Sequence, residues 1–163
     1  MTYTTAYLPT PLGVLELQAS DTGLRAVQFV QEAVAPTLPG QVPDCLREAY
    51  RQLQAYFQRE LREFDLLLDV TGGTEFQRRV WATLPSVAYG RTASYLDLAR
   101  QLGNPAAVRA VGAANGQNPL TIIWPCHRII GSGGQLTGYA GGLNRKQWLL
   151  TFEQPAVQTS LFS

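Results

Sequence analysis

A thiol, an imidazole and a guanidinium follow one another at Cys126, His127 and Arg128. Apolar runs flank them on both sides, so we expect the segment to be buried in a core element. A neighbouring imidazole or positive charge lowers the pKa of a thiol and makes it a stronger nucleophile. Adjacent strand residues face opposite ways, however, so a Cys126–His127 interaction needs a bridging water or a bend at Pro125. The segment alone therefore fits either a nucleophile or a structural core cysteine beside a hydrogen-bonded histidine.

Charge is unevenly distributed along the 163 residues. Residues 1–70 carry five Arg and nine Asp or Glu, a balance of −4, whereas residues 71–163 carry seven Arg, Lys146 and three acids, a balance of +5. The second part is therefore the candidate for an anionic partner such as nucleic acid, although a solvated surface also accounts for such a difference.

Composition excludes several classes of protein. With 45% hydrophobic and 15% charged residues the chain is typical of a globular domain, and no window approaches the roughly 18 apolar residues of a membrane span. The first residues do not resemble a secretory signal, which predicts a cytoplasmic protein with no membrane partner. Two cysteines, Cys45 and Cys126, and a single histidine exclude a disulfide framework and a Cys/His zinc site, so we expect no metal and no cofactor.

The first seventy residues are predicted to form a small antiparallel sheet with one helix. Residues 3–8, 14–20 and 24–30 are rich in β-branched, aromatic and aliphatic side chains and are separated by turn residues, which predicts a three-stranded meander. Residues 64–70 could add another strand, although so short a run does not settle the point.

An amphipathic helix is predicted over 44–60, where apolar residues recur at spacings of four, three and four. Asp44 is its expected N-cap, and Cys45 in its first turn is interpreted as a packing residue.

A domain boundary is predicted at 71–73, after which the pattern becomes helical. Thr74 and Gln77 form a capping-box pattern for a helix that ends near Pro85. A second capping pattern at Ser94-Tyr95-Leu96-Asp97 opens a short helix that Gly103 closes, and Asn104-Pro105 opens the next.

The two short helices predict a helix-turn-helix, although helical hairpins of other kinds share this pattern. The second helix, 106–115, consists mainly of small residues and carries Arg109 as its only charge. Such a surface permits close approach either to a partner or to another helix of the same domain.

Taken together, these motifs resemble the O6-alkylguanine-DNA alkyltransferases over residues 74–153. The resemblance rests on Phe76-Gln77, Val80-Trp81, Pro85, Gly90, Ser94-Tyr95, Leu98-Ala99, Gly103-Asn104-Pro105, Arg109-Ala110-Val111-Gly112, Asn118-Pro119, Pro125-Cys126-His127-Arg128, Gly138-Tyr139-Ala140-Gly141-Gly142-Leu143 and a helix from Arg145 to Glu153. It implies an α+β protein with a ribonuclease H-like N-terminal sheet and helix (1–70) and a mainly helical domain with a helix-turn-helix (71–153). The tail, 154–163, lies outside the resemblance and is expected to be weakly ordered.

The resemblance also implies a reaction. In this family a cysteine displaces guanine from an alkyl group on O6 and keeps the alkyl group as a thioether, which makes Cys126 the acceptor. The thiol is activated through water and a histidine held by a glutamate, here His127 and Glu153. Tyr95 matches the tyrosine that assists the leaving group at purine N3, and Asn118 would organise the turn before the nucleophile.

A base pocket and a DNA-binding surface follow from the same resemblance. Backbone groups at Ile129 and Ala140 would contact the guanine edge and Tyr139 would line the pocket, whereas Arg128 would orient either the active-site loops or the domain interface. The target base must leave the stack, and Arg109 would enter the minor groove and fill its place. The expected DNA-binding residues are Arg109, Ala110, Gly112, Ala113 and Ser94.

The implied partner is double-stranded DNA that contains O6-alkylguanine, with O4-alkylthymine as a possible second lesion, and the protein is expected to act as a monomer. Trp124 departs from the aliphatic residue common before Pro-Cys-His-Arg, and the zinc ligands of some members are lacking. Two other interpretations stay open. The first is a lesion-binding protein without transfer activity, but such proteins have another residue at the position of Cys126. The second is a general thiol hydrolase that uses Cys126 and His127, but this activity gives no reason for Arg109 or the helix-turn-helix.

Overall fold

The computed structural model describes residues 2–155. The chain divides into two compact units: the first contains residues 1–74 and 118–124, and the second contains residues 75–117 and those from Pro125 onward. The described chain thus leaves the second unit at Gln117 and returns to it at Pro125. Of the predicted tail, all residues after Pro155 lie outside the described part.

The first unit is built on the predicted antiparallel meander. Its strands are β1 (Thr4–Thr10), β2 (Gly13–Ala19) and β3 (Leu24–Phe29), paired in the order β1-β2-β3. Alternate side chains are buried, as the two-residue repeat of a half-buried sheet requires. The buried side chains of the sheet are Ala6, Leu8, Leu15, Leu17, Ala19, Leu24, Val27 and Phe29. The three-stranded prediction is therefore confirmed.

Helix α1 (Asp44–Phe57) covers this sheet through contacts with β1 and β2. Two predictions about its first turn are wrong. Pro43, whose backbone is extended, precedes the first turn as N-cap, and Asp44 is a helical residue whose carboxylate pairs with Arg47. Cys45 is exposed, because the buried stripe of the helix begins at Leu46 and position 45 lies outside it.

Two extended segments complete the first unit. Residues 64–70 do not form the additional strand that was considered: only Leu68 bridges to Leu24, in parallel orientation. A Cβ at Gly23 would lie 2.8 Å from the carbonyl oxygen of Leu67, so this contact requires glycine. The segment 118–124 joins the other part of this unit, because Val27 N–H donates to Pro119 and Val27 C=O accepts from Thr121.

The second unit is mainly helical, as predicted. It contains α2 (Glu75–Thr83), the two-residue strand β4 (Ala93–Ser94), α3 (Tyr95–Gln101), α4 (Val108–Gly116), the two-residue strand β5 (Ile129–Ile130) and α5 (Leu143–Glu153). The capping box of α3 is present, with Asp97 N–H donating to Ser94 Oγ at 2.9 Å and Ser94 N–H to Asp97 Oδ2 at 2.8 Å. Asn104 precedes a short 3-10 turn, Pro105–Ala107, that runs into α4. None of the helices within residues 2–155 is long and apolar enough to cross a bilayer.

Candidate active site

Cys126 lies in a buried 3-10 turn, Cys126–Arg128, and not on a strand. The expected obstacle of opposite strand faces therefore does not arise, because the chain bends at Pro125 before it enters β5. Ile129 N–H closes the turn by donating to the Cys126 carbonyl. Parallel pairing of β5 with β4 then places Ile130 opposite Ser94, next to the start of α3.

A buried charge network begins at the residue after the cysteine. His127 Nε2 lies 2.8 Å from Glu153 Oε2, and both side chains are almost inaccessible to solvent. Arg128 donates to the same carboxylate from Nε at 2.8 Å and from Nη2 at 3.0 Å. Its Nη1 donates to the Val87 carbonyl at 2.8 Å, so Arg128 orients Glu153 within its own unit.

The network determines the protonation of the histidine. Burial alone would raise the pKa of Glu153, but hydrogen bonds from His127 and Arg128 outweigh it and lower the pKa to about 2. Burial lowers the pKa of His127 despite the opposing effect of Glu153, so the ring is neutral near pH 7. Because an ionised carboxylate only accepts hydrogen bonds, Nε2 carries the ring proton and Nδ1 presents a lone pair. Nδ1 can therefore take up a proton while Glu153 stabilises the imidazolium.

Tyr139 and Ala140 lie in the loop before α5. The hydroxyl of Tyr139 is buried, and burial together with the negative charge of the Cys126 thiolate raises its pKa well above the ordinary value. The Tyr139 hydroxyl therefore stays protonated near neutral pH and can act as a donor. Ala140 is exposed, which leaves its backbone open to a ligand.

Lys146 is a site residue that the sequence analysis missed. Its side chain is fully buried, and its ammonium donates to the carbonyls of Ile129 at 2.5 Å and Thr137 at 2.8 Å. It also donates to the hydroxyl of Tyr95 at 3.3 Å, and that hydroxyl donates to the Thr137 carbonyl at 2.9 Å. A signal was present, because Lys146 is the chain's single lysine and lies one and two turns from Leu149 and Glu153 on the buried face of α5.

Asn118 holds together the segment that leads to Pro125. Its Nδ2 donates to the Trp124 carbonyl at 2.8 Å, and its Oδ1 accepts from Leu120 N–H at 3.0 Å. Between them, Ile122 has φ of +73°, a conformation costly for a β-branched residue. Trp124 is half-buried in this segment, and its N–H donates to the Leu120 carbonyl.

The helix-turn-helix residues separate into exposed and packed positions. Arg109, Ala110 and Ala113 are exposed on α4. Gly112, by contrast, is half-buried and faces the Tyr95 ring, where an added Cβ would lie 3.7 Å away, in ordinary van der Waals contact. Ser94 is half-buried and caps α3. The described part of the chain contains no cluster of three or more His, Cys, Asp or Glu side chains suited to a metal ion.

Comparisons with known proteins cover both units. Residues 75–155 match the DNA binding domain of 6-O-methylguanine DNA methyltransferase, and residues 1–70 match the ribonuclease-like domain of the same family. The chain is 48% identical over 153 residues to the methylated-DNA–protein-cysteine methyltransferase of Mycolicibacterium paratuberculosis, across 93% of this chain and 92% of that protein. It is 45% identical over 151 residues to the protein of that name from Methanosarcina acetivorans, across 91% and 96% of the two chains.

Solved structures agree with these relatives. A crystal structure of Mycobacterium tuberculosis OGT in complex with DNA superimposes with a TM-score of 0.80 and 46% identity, over 91% of this chain and 92% of that one. The same assignment follows from both family models, from relatives aligned over most of their length and from a solved structure. It agrees with the resemblance found from the motifs. The chain belongs to the 6-O-methylguanine DNA methyltransferase family.

Proposed function

We propose that the protein repairs DNA by moving the alkyl group of O6-alkylguanine irreversibly onto Cys126. The observation that carries this proposal is the buried turn in which Cys126 directly precedes His127, itself hydrogen-bonded to Glu153 at 2.8 Å. Membership of the family makes the chain a DNA repair methyltransferase, and Cys126 is its buried cysteine, whereas Cys45 is exposed in the other unit.

The displacement begins with the thiol proton. It passes through a water molecule to Nδ1 of His127, which leaves a thiolate and an imidazolium stabilised by Glu153. The thiolate attacks the alkyl carbon, so the S–C bond forms as the C–O6 bond breaks and its electron pair moves onto guanine. A thioether offers no easy route back to the thiolate, so each molecule acts once.

Tyr95 donates a hydrogen bond to the departing guanine and stabilises the negative charge that develops on it. Its hydroxyl now donates to the Thr137 carbonyl and accepts from Lys146, so it turns from that carbonyl towards purine N3 when the base enters. The backbone of Ala140 then contacts the guanine edge beside Tyr139, whereas the backbone groups of the fully buried Ile129 are bonded to Cys126 and Lys146 and only support the pocket. The same chemistry applies to O4-alkylthymine, because its alkyl group is also bonded to an exocyclic oxygen of the base.

Access to a stacked base requires extrusion of the nucleotide from the duplex. The exposed, small-residue face of α4 with Arg109 suits close approach to the minor groove, where the guanidinium fills the space left by the base. Minor-groove edges distinguish sequences poorly, which suits a protein that must find lesions anywhere.

The proposal is tested with a duplex that carries one O6-methylguanine. The protein should gain the mass of one methylene group, located on the Cys126 peptide, with one lesion repaired per molecule. Binding without a mass gain would instead identify a lesion-recognition protein, and repair of many lesions per molecule would exclude thioether formation as the final step.

Replacement of Arg109 separates extrusion from chemistry. We expect Arg109→Ala to slow transfer from the duplex by about 30-fold, because the vacated stack is no longer filled. Transfer from a free O6-benzylguanine-type base, which needs no extrusion, should stay within about twofold of wild type. Arg47→Ala removes an exposed arginine from α1 in the first unit and is the matched control. Equal losses on both substrates would contradict the role of Arg109.

A further inference from the structure

Asn115 links helix α4 to the turn that holds the nucleophile. It lies near the C-terminal end of α4, with an exposed fraction of 1%, whereas Arg109 near the other end is exposed. Its Nδ2 donates to the Cys126 carbonyl at 3.2 Å. The preceding carbonyl, of Ala114, accepts from Trp81 Nε1 at 2.8 Å, which fixes this end of the helix. The amide of Asn115 is therefore held against the cysteine from a rigid support.

The orientation of that amide leaves its oxygen buried. A flipped amide would place Oδ1 against the Cys126 carbonyl, two acceptors facing each other, so Nδ2 must be the group at Cys126. Oδ1 then has no hydrogen-bond partner among the described residues. A buried acceptor without a partner is costly unless solvent or a ligand satisfies it.

Two further buried atoms without a hydrogen-bond partner in the described chain belong to residues that are linked to Cys126 by sequence or by charge. One is Nδ1 of His127, the next residue, and the other is the hydroxyl of Tyr139, whose pKa responds to charge on Cys126. His127 Nδ1 and Asn115 Oδ1 are acceptors, whereas the Tyr139 hydroxyl is a donor. The three atoms thus offer two acceptors and one donor that a water molecule or a ligand can satisfy.

We propose that Asn115 is a positioning residue for alkyl transfer: Nδ2 fixes the Cys126 turn, and Oδ1 orients the water molecule that carries the thiol proton to His127. This inference rests on the proposed function and adds a residue to it. A water molecule has two protons, one for each of the two acceptors, and its oxygen then faces the thiol as an acceptor.

The proton transfer is balanced in this arrangement. The S–H proton moves to the water oxygen as the water proton directed at His127 moves to Nδ1, so the water is regenerated beside a thiolate and an imidazolium. The second water proton stays covalently bonded to the water oxygen and hydrogen-bonded to Asn115 Oδ1 throughout, which prevents the water from rotating away. Loss of the Oδ1 acceptor leaves the water molecule unoriented. It therefore slows the proton transfer although the general base, His127, is still present.

The test replaces Asn115 by leucine, which keeps the branched heavy-atom skeleton and removes both polar ends. Gln117→Leu is the matched control, because Gln117 is exposed just beyond α4 and undergoes the same kind of change. Two probes are applied between about pH 5 and pH 9: free O6-benzylguanine, which reports transfer, and iodoacetamide, which reports thiolate alone. Modification is quantified on the Cys126 peptide, so reaction at the exposed Cys45 does not interfere.

We expect Asn115→Leu to slow both reactions about tenfold near pH 7 and to move the midpoint of each pH profile upward, whereas Gln117→Leu changes neither. Rates and midpoints equal to those of wild type would overturn the inference. If wild-type protein reacts with iodoacetamide but not with the benzylated base, the proposed function fails. In that case the role of Asn115 is still decided by comparing the pH profiles of iodoacetamide modification of wild type and Asn115→Leu.

Should Asn115→Leu fail to fold, as shown by its thermal melting curve, Asn115→Ser provides the same test with a smaller change. Its hydroxyl can still donate and accept but is too short to reach both partners, so an intermediate rate with a raised midpoint supports the inference. A Ser variant with the wild-type profile overturns it.

Discussion

Cys126→Ser should abolish alkyl transfer from both duplex DNA and free base, with a residual rate at least about 1000-fold below wild type. A serine hydroxyl is far less acidic than a thiol, so the buried His127 and Glu153 cannot ionise it to a useful extent near neutral pH. The side chains have nearly the same shape, so the turn and its hydrogen bond from Asn115 should persist. The measurement is intact mass and peptide mapping after incubation with each substrate.

Cys45→Ser is the matched control, because it makes the same atomic change at an exposed position of α1 in the first unit. Its transfer rate should equal that of wild type. DNA binding by Cys126→Ser, measured by fluorescence anisotropy with an O6-methylguanine duplex, should also be preserved. A mass gain in Cys126→Ser at a rate near wild type would remove Cys126 as the acceptor.

Much of this fold could be predicted from the sequence, because it depends on interactions between residues that are close along the chain. The capping box at Ser94 and Asp97 is a hydrogen-bond pattern between residues three apart, so it needs no tertiary information. The three strands of the first unit follow from runs of β-branched, aromatic and aliphatic residues that turn residues separate. Burial of Cys126 also follows, because apolar runs lie on both sides of it.

The parts that sequence did not reveal depend on contacts between distant residues. Lys146 pairs with carbonyls 17 and 9 residues away, and a buried lysine on an amphipathic helix looks like any surface lysine until those carbonyls are placed. The choice between two roles for Arg128 depended on Glu153, 25 residues further along. Cys45 illustrates the opposite error, because cysteine is usually buried and only the register of α1 places it outside.

The 3-10 turn at Cys126 shows why apolar patterning misleads near a reactive group. Flanking apolar residues predict a strand, but the segment before it contains a strained Ile122 and the chain bends at Pro125. In a 3-10 turn the side chains of neighbouring residues are not restricted to opposite faces, as they are in a strand. Prediction from hydrophobic patterning thus fails at the candidate active site, where the backbone conformation departs from regular secondary structure.

Glu153→Gln should lower the rate of transfer from free base about 100-fold at neutral pH and shift the midpoint of the pH profile upward. The carboxylate stabilises the His127 imidazolium that forms when the thiol ionises, so its neutral replacement makes thiolate formation less favourable. It also leaves Arg128 as a buried cation without its counter-charge, which should lower the free energy of unfolding by about 3 kcal/mol. Rates are therefore compared well below the melting temperature of the variant, with Glu75→Gln in the exposed first turn of α2 as the control.

The pH dependence of unfolding distinguishes this network from a loss of packing. Because the pKa of Glu153 falls from 4.5 to about 2 on folding, its stabilisation is complete above pH 4.5 and disappears as the pH falls through about 2. The difference in unfolding free energy between wild type and Glu153→Gln, measured with urea, should therefore shrink steadily over that range. A difference that stays constant with pH, together with an unchanged alkylation profile, would show that Glu153 acts by packing and not as the charged partner of His127 and Arg128.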